Sequence, residues 1–111
     1  MTLRERRTTF TANLAKLIQW CNNNGFECAL DEVKRTQLQA DAYAREGKGI
    51  RNSQHLNACA ADLVLYKAGV YLMFTRDYSP AGDYWESIHP HNRWGGRYDD
   101  GNHFEMLETP R

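Results

Sequence analysis

The sequence predicts an α+β domain in which two or three helices pack on a small, mainly antiparallel sheet. Three observations carry this. Phe10, Leu14, Leu17, Ile18 and Cys21 recur at helical spacing. Phe26, Cys28 and Leu30 alternate with Glu27, Ala29 and Asp31 in the period of a half-buried strand. Further on, Lys67-Ala68-Gly69 separates two apolar stretches by a tight turn, which makes them an antiparallel hairpin. At 111 residues the chain is expected to form a single domain, residues 1–111, around one core.

The first helix has a start and a stop. Thr2 is a candidate N-cap, with Glu5 three residues on in capping-box position. Asn22-Asn23-Asn24-Gly25 ends it, because Asn and Gly tolerate the left-handed conformation that closes a helix. A strand follows over Phe26 to Val33, then a second helix over Thr36 to Glu46, which Gly47 stops. Gly47 and Gly49 give the next loop latitude ahead of Ser53 and His55. Ala60 to Tyr66 and Val70 to Phe74 are the hairpin strands. Asp77 to Ser87 is a short helix with Pro80 near its start and Tyr84, Trp85 and Ile88 facing inward. His89 to Gly101 shows no period and reads as a long loop. The final strand, Asn102 to Leu107, sets His103 and Glu105 on one side and Phe104 and Met106 on the other.

Composition excludes several functions. Apolar content of 41% and charged content of 25% are those of an ordinary folded protein. Fourteen basic and 14 acidic residues give zero net charge, so a dedicated nucleic-acid binder, whose affinity rests on neutralising phosphates, is not expected. Three irregularly spaced cysteines do not make a disulfide framework or a CxxC zinc ribbon, and they read as buried thiols. No apolar run approaches the ~20 residues of a membrane helix. MTLRERRTTF has no signal-peptide character, so the protein is expected to be made in the cytoplasm and not inserted in a membrane.

Taken one by one, the polar groups allow either a metal site or ordinary hydrogen-bonded histidines. In Ser53-Gln54-His55-Leu56-Asn57-Ala58-Cys59-Ala60-Ala61-Asp62, a histidine and a carboxylate flank small residues, and the carboxylate precedes an apolar run. A carboxylate in that setting is costly unless paired or bound to a cation. His and Asp are both good zinc ligands, and a catalytic zinc takes three protein ligands and leaves one position open. The chain has three further histidines, His89, His91 and His103; only His103 begins an apolar strand, with Asp100 and Glu105 beside it. HExxH, GxSxG and GxxxxGK[ST] are all absent.

Together these pieces resemble the zinc-dependent peptidoglycan peptidases that include D-alanyl-D-alanine carboxypeptidases and the L-alanyl-D-glutamate endopeptidases of bacteriophage endolysins. That family carries SxHxxGxAxD and, later, D/E-x-x-H. Residues 53–62 match the first, and Asp100-Gly101-Asn102-His103 matches the second. Arg35-Thr36 with Gln39 is similar to the family's RTxxQ segment, and WGGRYDDGNHFEM to its C-terminal active-site strand. The resemblance spans about Glu32 to Met106. Ala58 stands where the pattern has glycine, which a methyl group tolerates only if φ there is not positive.

The resemblance implies one catalytic Zn2+ held by His55, Asp62 and His103, with Asp100 as general base. It makes Arg35 an oxyanion-stabilising or substrate-orienting cation and Ser53 an accessory group at the substrate. Glu105 is the expected hydrogen-bond partner of a ligand histidine. Trp94, in Trp94-Gly95-Gly96, is expected at the rim of the substrate cleft. The implied fold is the one shared with D-Ala-D-Ala carboxypeptidases and hedgehog-type domains, with zinc at the sheet edge. The implied substrate is the bacterial stem peptide, cut by a monomeric L-alanyl-D-glutamate endopeptidase of endolysin type that reaches the periplasmic wall through a holin-made pore and lyses the host cell. D-alanyl-D-alanine carboxypeptidase activity and a non-catalytic zinc module are the alternatives.

Overall fold

The capping signal at the N-terminus is realised in full. Glu5 N–H donates to Thr2 Oγ1 at 3.1 Å and Thr2 N–H donates to Glu5 Oε1 at 3.2 Å, so two otherwise orphaned donors are satisfied, an arrangement worth ~1 kcal/mol. The helix they open, α1, runs Leu3–Asn23 and closes through Asn24 and a left-handed Gly25 (φ 84°). A computed structural model describes residues 1–33 and 57–111 of the chain. The expected helix over Thr36 to Glu46 lies outside the described residues.

Strand β1 (Phe26–Leu30) follows at once and pairs antiparallel with β2 (Ala60–Lys67). Beyond Leu30 the pairing continues in two backbone bonds, Asp31 N–H to Asp62 O and Asp62 N–H to Glu32 O, at 2.8 and 2.7 Å. Ala68 and Gly69, both at positive φ, make the tight turn into β3 (Val70–Tyr71). This strand is shorter than the expected hairpin partner, Val70 to Phe74. The Tyr78 hydroxyl explains the stop: it accepts from Leu65 N–H and donates to Leu72 O, supplying one end of the ladder from a side chain.

Tyr78 ends a 3-10 turn, Thr75–Tyr78, that leads into helix α2, Ser79–Ser87, with Pro80 in its first turn. The segment expected as a loop contains ordered elements: strand β4 (Asn92–Trp94) and a 3-10 turn, Gly95–Tyr98. Strand β5 (His103–Met106) then enters between β2 and β4, giving the order β1-β2-β5-β4 with β3 also paired to β2, every pairing antiparallel.

The two helices cover one face of this sheet. Phe10 and Leu17 of α1, Trp85 of α2, Leu63 and Leu65 of β2, and Phe104 and Met106 of β5 are buried together. Trp85 stands edge-on to both Phe10 and Phe104, at 5.7 and 6.1 Å between ring centroids, and its indole N–H donates to Glu105 O at 3.0 Å. That bond ties α2 to the backbone of β5 from the core side. The three cysteines are free; Cys21 and Cys59 are buried and Cys28 is half-buried. Burial pushes the Cys21 thiol up to about 12, with Cys28 adding to the effect, so it is an inert packing group at neutral pH.

At Gly82 helix α2 packs directly against Trp94 of β4. A Cβ there would fall 2.2 Å from Trp94 Cδ2. In an open helix Gly→Ala gains about 1 kcal/mol of propensity, but here the methyl must displace an indole held on its other side by Gly96, and overpacking of that kind costs ~1–3 kcal/mol. The crowding outweighs the gain in propensity: Gly82→Ala should lower the melting temperature by several degrees, read by circular dichroism. An unchanged or raised Tm would show that this contact relaxes freely.

Candidate metal and catalytic site

The sheet has a second face, and its polar residues are placed by register. Asp62 of β2 lies directly opposite His103 of β5, Ala60 opposite Glu105, and Arg93 of β4 opposite Glu105 from the other side. Leu63 N–H donates to Asn102 O at 2.9 Å and Met106 N–H to Cys59 O at 2.9 Å. Asp62 and His103 therefore form one of the pairs that exchange no backbone bonds, in which side chains approach most closely. Because β2 is hydrogen-bonded to a strand on each flank, neither position can slide without breaking the sheet.

His103 stands between two carboxylates. Its Nδ1 lies 3.2 Å from Asp62 Oδ1 and its Nε2 lies 3.0 Å from Glu105 Oε1. His103 and Glu105 are buried and Asp62 is half-buried. A neutral imidazole carries one N–H. If it donates to Glu105, the Nδ1 lone pair faces an oxygen of Asp62, and two acceptors at that distance repel unless a cation joins them. A proton can do so: burial opposes the imidazolium, but Asp62 and Glu105 outweigh it and push His103 up to about 9. A metal can do so equally well. Two ligand atoms at about 2.0–2.1 Å from a tetrahedral zinc stand about 3.3 Å apart, close to the spacing found here. The donor set fits zinc, with Nε2 donating outward to a carboxylate as ligand histidines do.

Glu105 is itself held from three directions. Its Oε1 takes His103, while its Oε2 accepts from Arg93 Nε at 2.5 Å and from the Tyr98 hydroxyl at 3.4 Å. Burial would raise its pKa, yet His103 and Arg93 together hold it below the usual carboxylate range. Arg93 lies over the Tyr98 ring at 5.3 Å, and that ring is 6.2 Å from His103. Burial, and then the charge of Glu105, pushes the Tyr98 phenol up, so it stays a protonated donor. Arg93 and Tyr98 were not singled out as site residues by the sequence. Their signal was too short: three residues of strand and four of 3-10 turn carry no readable period.

Asp100 sits on the turn that returns the chain to β5. Its N–H donates to Gly95 O at 2.9 Å, and its carbonyl accepts from His103 N–H at 3.1 Å. A Cβ on Gly95 would fall 2.3 Å from Asp100 O and 2.8 Å from His103 Cβ, so glycine is what lets this turn close against the strand. Asp99, left-handed at φ 61°, completes the turn. Asp100 also lines a groove of about 190 Å3 with Thr75, Tyr78, Asp99 and Asn102.

Trp94 is placed differently from the rim position expected of it. Its register partner is Phe104, on the helix-covered face opposite to His103. The indole packs between Gly82 and Gly96 and donates to Gly101 O at 2.7 Å. Gly95 and Gly96 thus admit the protein's own chain, which accounts for them without an extended ligand. His89 and His91 form a separate corner, with His91 Nδ1 at 3.0 Å from Leu107 O and His89 Nδ1 accepting from His91 N–H. Arg35, Ser53 and His55 lie outside the described residues. Among the described residues no group of three metal-ligating side chains occurs; Asp62 and His103 are the members of the expected set that are brought together.

Ala58 has φ 54°. The position at which the resembled pattern has glycine is left-handed in this chain, and alanine occupies it at a cost. A left-handed residue other than glycine stores ~1–3 kcal/mol, of which the greater unfolded-state freedom of glycine would return about 0.4–1. Ala58→Gly is therefore expected to stabilise the fold by about 1 kcal/mol, visible as a higher Tm. A lower Tm would mean that Ala58 bears no strain.

Comparison with solved structures finds the same fold in the crystal structure of the Serratia marcescens L-Ala D-Glu endopeptidase ChiX, with a TM-score of 0.68 at 22% identity over 86% of this chain and 79% of that one. No family model matches the sequence, and no curated protein matches it.

Proposed function

We propose that this chain is a zinc-dependent peptidoglycan peptidase that hydrolyses the L-alanyl-D-glutamate bond of the stem peptide. One observation carries the reading: the register of β2 and β5 sets His103 Nδ1 3.2 Å from Asp62 Oδ1, a spacing that suits two ligands of one zinc, and Asp100 stands three residues before His103. The fold shared with ChiX supports the substrate class.

His55, Asp62 and His103 would hold the metal. When bound, zinc supplies Lewis acidity, which polarises the amide carbonyl and makes water acidic enough to attack at neutral pH. The protein's own residues do the rest. Glu105 holds His103 Nε2, so the ring keeps Nδ1 toward Asp62. Asp100, on a turn braced by Gly95, takes the proton from the attacking water and returns it to the leaving amine. Arg35 steadies the charge that develops on the carbonyl oxygen or clamps a substrate carboxylate through its fork of donors. Ser53 contributes a hydroxyl at the substrate. Among the described residues no helix is long and apolar enough to cross a membrane. Delivery to the wall through a holin-made pore, as for an endolysin, is the corresponding route.

Digestion of purified peptidoglycan, with mass analysis of the released muropeptides, tests this reading. The expected product pair carries a new L-alanine carboxyl and a new D-glutamate amine. Loss of a terminal D-alanine would instead identify a carboxypeptidase. Metal analysis should find one zinc per chain. Asp100→Ala should keep that zinc and lose at least about 100-fold in kcat, the lower range for a general base. If Asp100→Ala cuts as fast as the parent, Asp100 is not the base; a folded parent that binds no zinc would overturn the proposal outright.

A further inference from the structure

Arg93 is the cation nearest the candidate centre among the described residues whose role neither the sequence motifs nor the proposed chemistry uses. It lies on β4 directly across from Glu105 and donates through Nε to Glu105 Oε2, with its side chain 38% exposed while that of Glu105 is only 5% exposed. The buried carboxylate thus has one oxygen on His103 and the other on Arg93. The Tyr98 ring, under the guanidinium and beside the imidazole, fills the remaining side of the cluster and adds its hydroxyl to Oε2.

We infer that Arg93 is a positioning residue for the metal centre, acting through Glu105 to fix the rotation of the His103 ring. The inference rests on the zinc reading above. Glu105 alone could not do this reliably. A carboxylate pivots about its last side-chain torsion, which is broad and roughly two-fold, and the bond to Nε2 with the long 3.4 Å contact from the Tyr98 hydroxyl restrains that pivot only weakly. The Nε contact from a strand neighbour fixes the second oxygen, and with it the plane of the carboxylate and the line along which Oε1 meets Nε2. His103 Nδ1 is then aimed at Asp62 before any metal arrives, so the two ligand atoms are preorganised. The positive charge of Arg93 has a second effect. It keeps Glu105 engaged at its own strand, where a buried carboxylate without that partner would turn toward whatever cation is closest, including a metal at His103.

The test measures zinc affinity and turnover separately. Zinc dissociation constants are obtained by chelator competition at one pH for the parent, Arg93→Ala, Arg93→Gln and Arg93→Lys, and kcat and KM are measured on peptidoglycan fragments with the zinc-loaded proteins. Arg93→Ala is expected to weaken zinc binding by about 10–100-fold, the usual effect of losing a group that orients a ligand. Its kcat should fall while KM stays within about two-fold, because nothing that touches substrate has changed. Arg93→Lys should recover part of both losses through its charge, and Arg93→Gln less. If Arg93→Ala does not fold, Arg93→Lys and Arg93→Gln carry the comparison. As a control, Arg97→Ala removes the Arg97–Glu86 ion pair on the helix side and should leave the zinc constant unchanged. Unchanged zinc affinity and kcat in the Arg93 variants would overturn the inference, as would a rise in KM alone, which would place Arg93 at the substrate, or an equal loss in Arg97→Ala. A parent protein that binds no zinc fails the function itself, a different result from a parent that binds zinc and variants that bind it equally well.

Discussion

An imidazole set between two carboxylates on one face of a sheet is the constraint around which this chain is arranged. His103 cannot satisfy Asp62 and Glu105 together as a neutral ring, because it has a single N–H and both neighbours are acceptors. The pair needs either the second ring proton or a metal at Nδ1. The sheet makes that demand permanent: Asp62 and His103 are fixed opposite each other by the register of β2 and β5, and Asp62 is fixed again by its backbone bonds to Asp31 and Glu32. The hydrophobic face behind them supplies the stiffness. Trp85, wedged between Phe10 and Phe104 and bonded to Glu105 O, ties the strand that carries both His103 and Glu105 to the two helices.

Much of this was legible in the sequence, and the reasons are local. The capping box at Thr2 and Glu5, the stop at Asn24-Gly25 and the hairpin turn at Ala68-Gly69 each depend on a few adjacent residues, and each formed as read. The alternation of β5, with His103 and Glu105 on one face and Phe104 and Met106 on the other, agrees with the pairing observed. What could not be read depends on partners far along the chain. Strand β4 has only three residues and exists because β5 is there to receive it. The consequence is that Arg93 and Tyr98, which surround Glu105, were hidden inside an apparent loop, while Trp94, on the same strand, was expected at the rim of the cleft and instead packs against Gly82 and Gly96.

The turns flanking the site use backbone freedom in two ways. At Gly95 the absence of a side chain lets the carbonyl of Asp100 and the Cβ of His103 pack against the backbone, so the candidate base and the candidate ligand share one rigid turn. At Ala58 the chain takes the same left-handed region that glycine prefers and carries a methyl group there. By sequence, a methyl group at Ala58 is tolerable only if φ is not positive; φ is positive, so the methyl is carried at a cost. The strain lies at the entry to β2, four residues before Asp62, where the surrounding ladder is strong enough to impose it.

The proposed function stands or falls on whether the gap between Asp62 and His103 is a metal position. Anomalous diffraction from crystals of the zinc-loaded protein, recorded on both sides of the zinc absorption edge, locates the ion directly. The expected result is one anomalous peak shared by Asp62 Oδ1 and His103 Nδ1, with His55 as the third protein ligand and Glu105 still on His103 Nε2. Zinc found elsewhere, with His103 still bonded directly to Asp62, would contradict it.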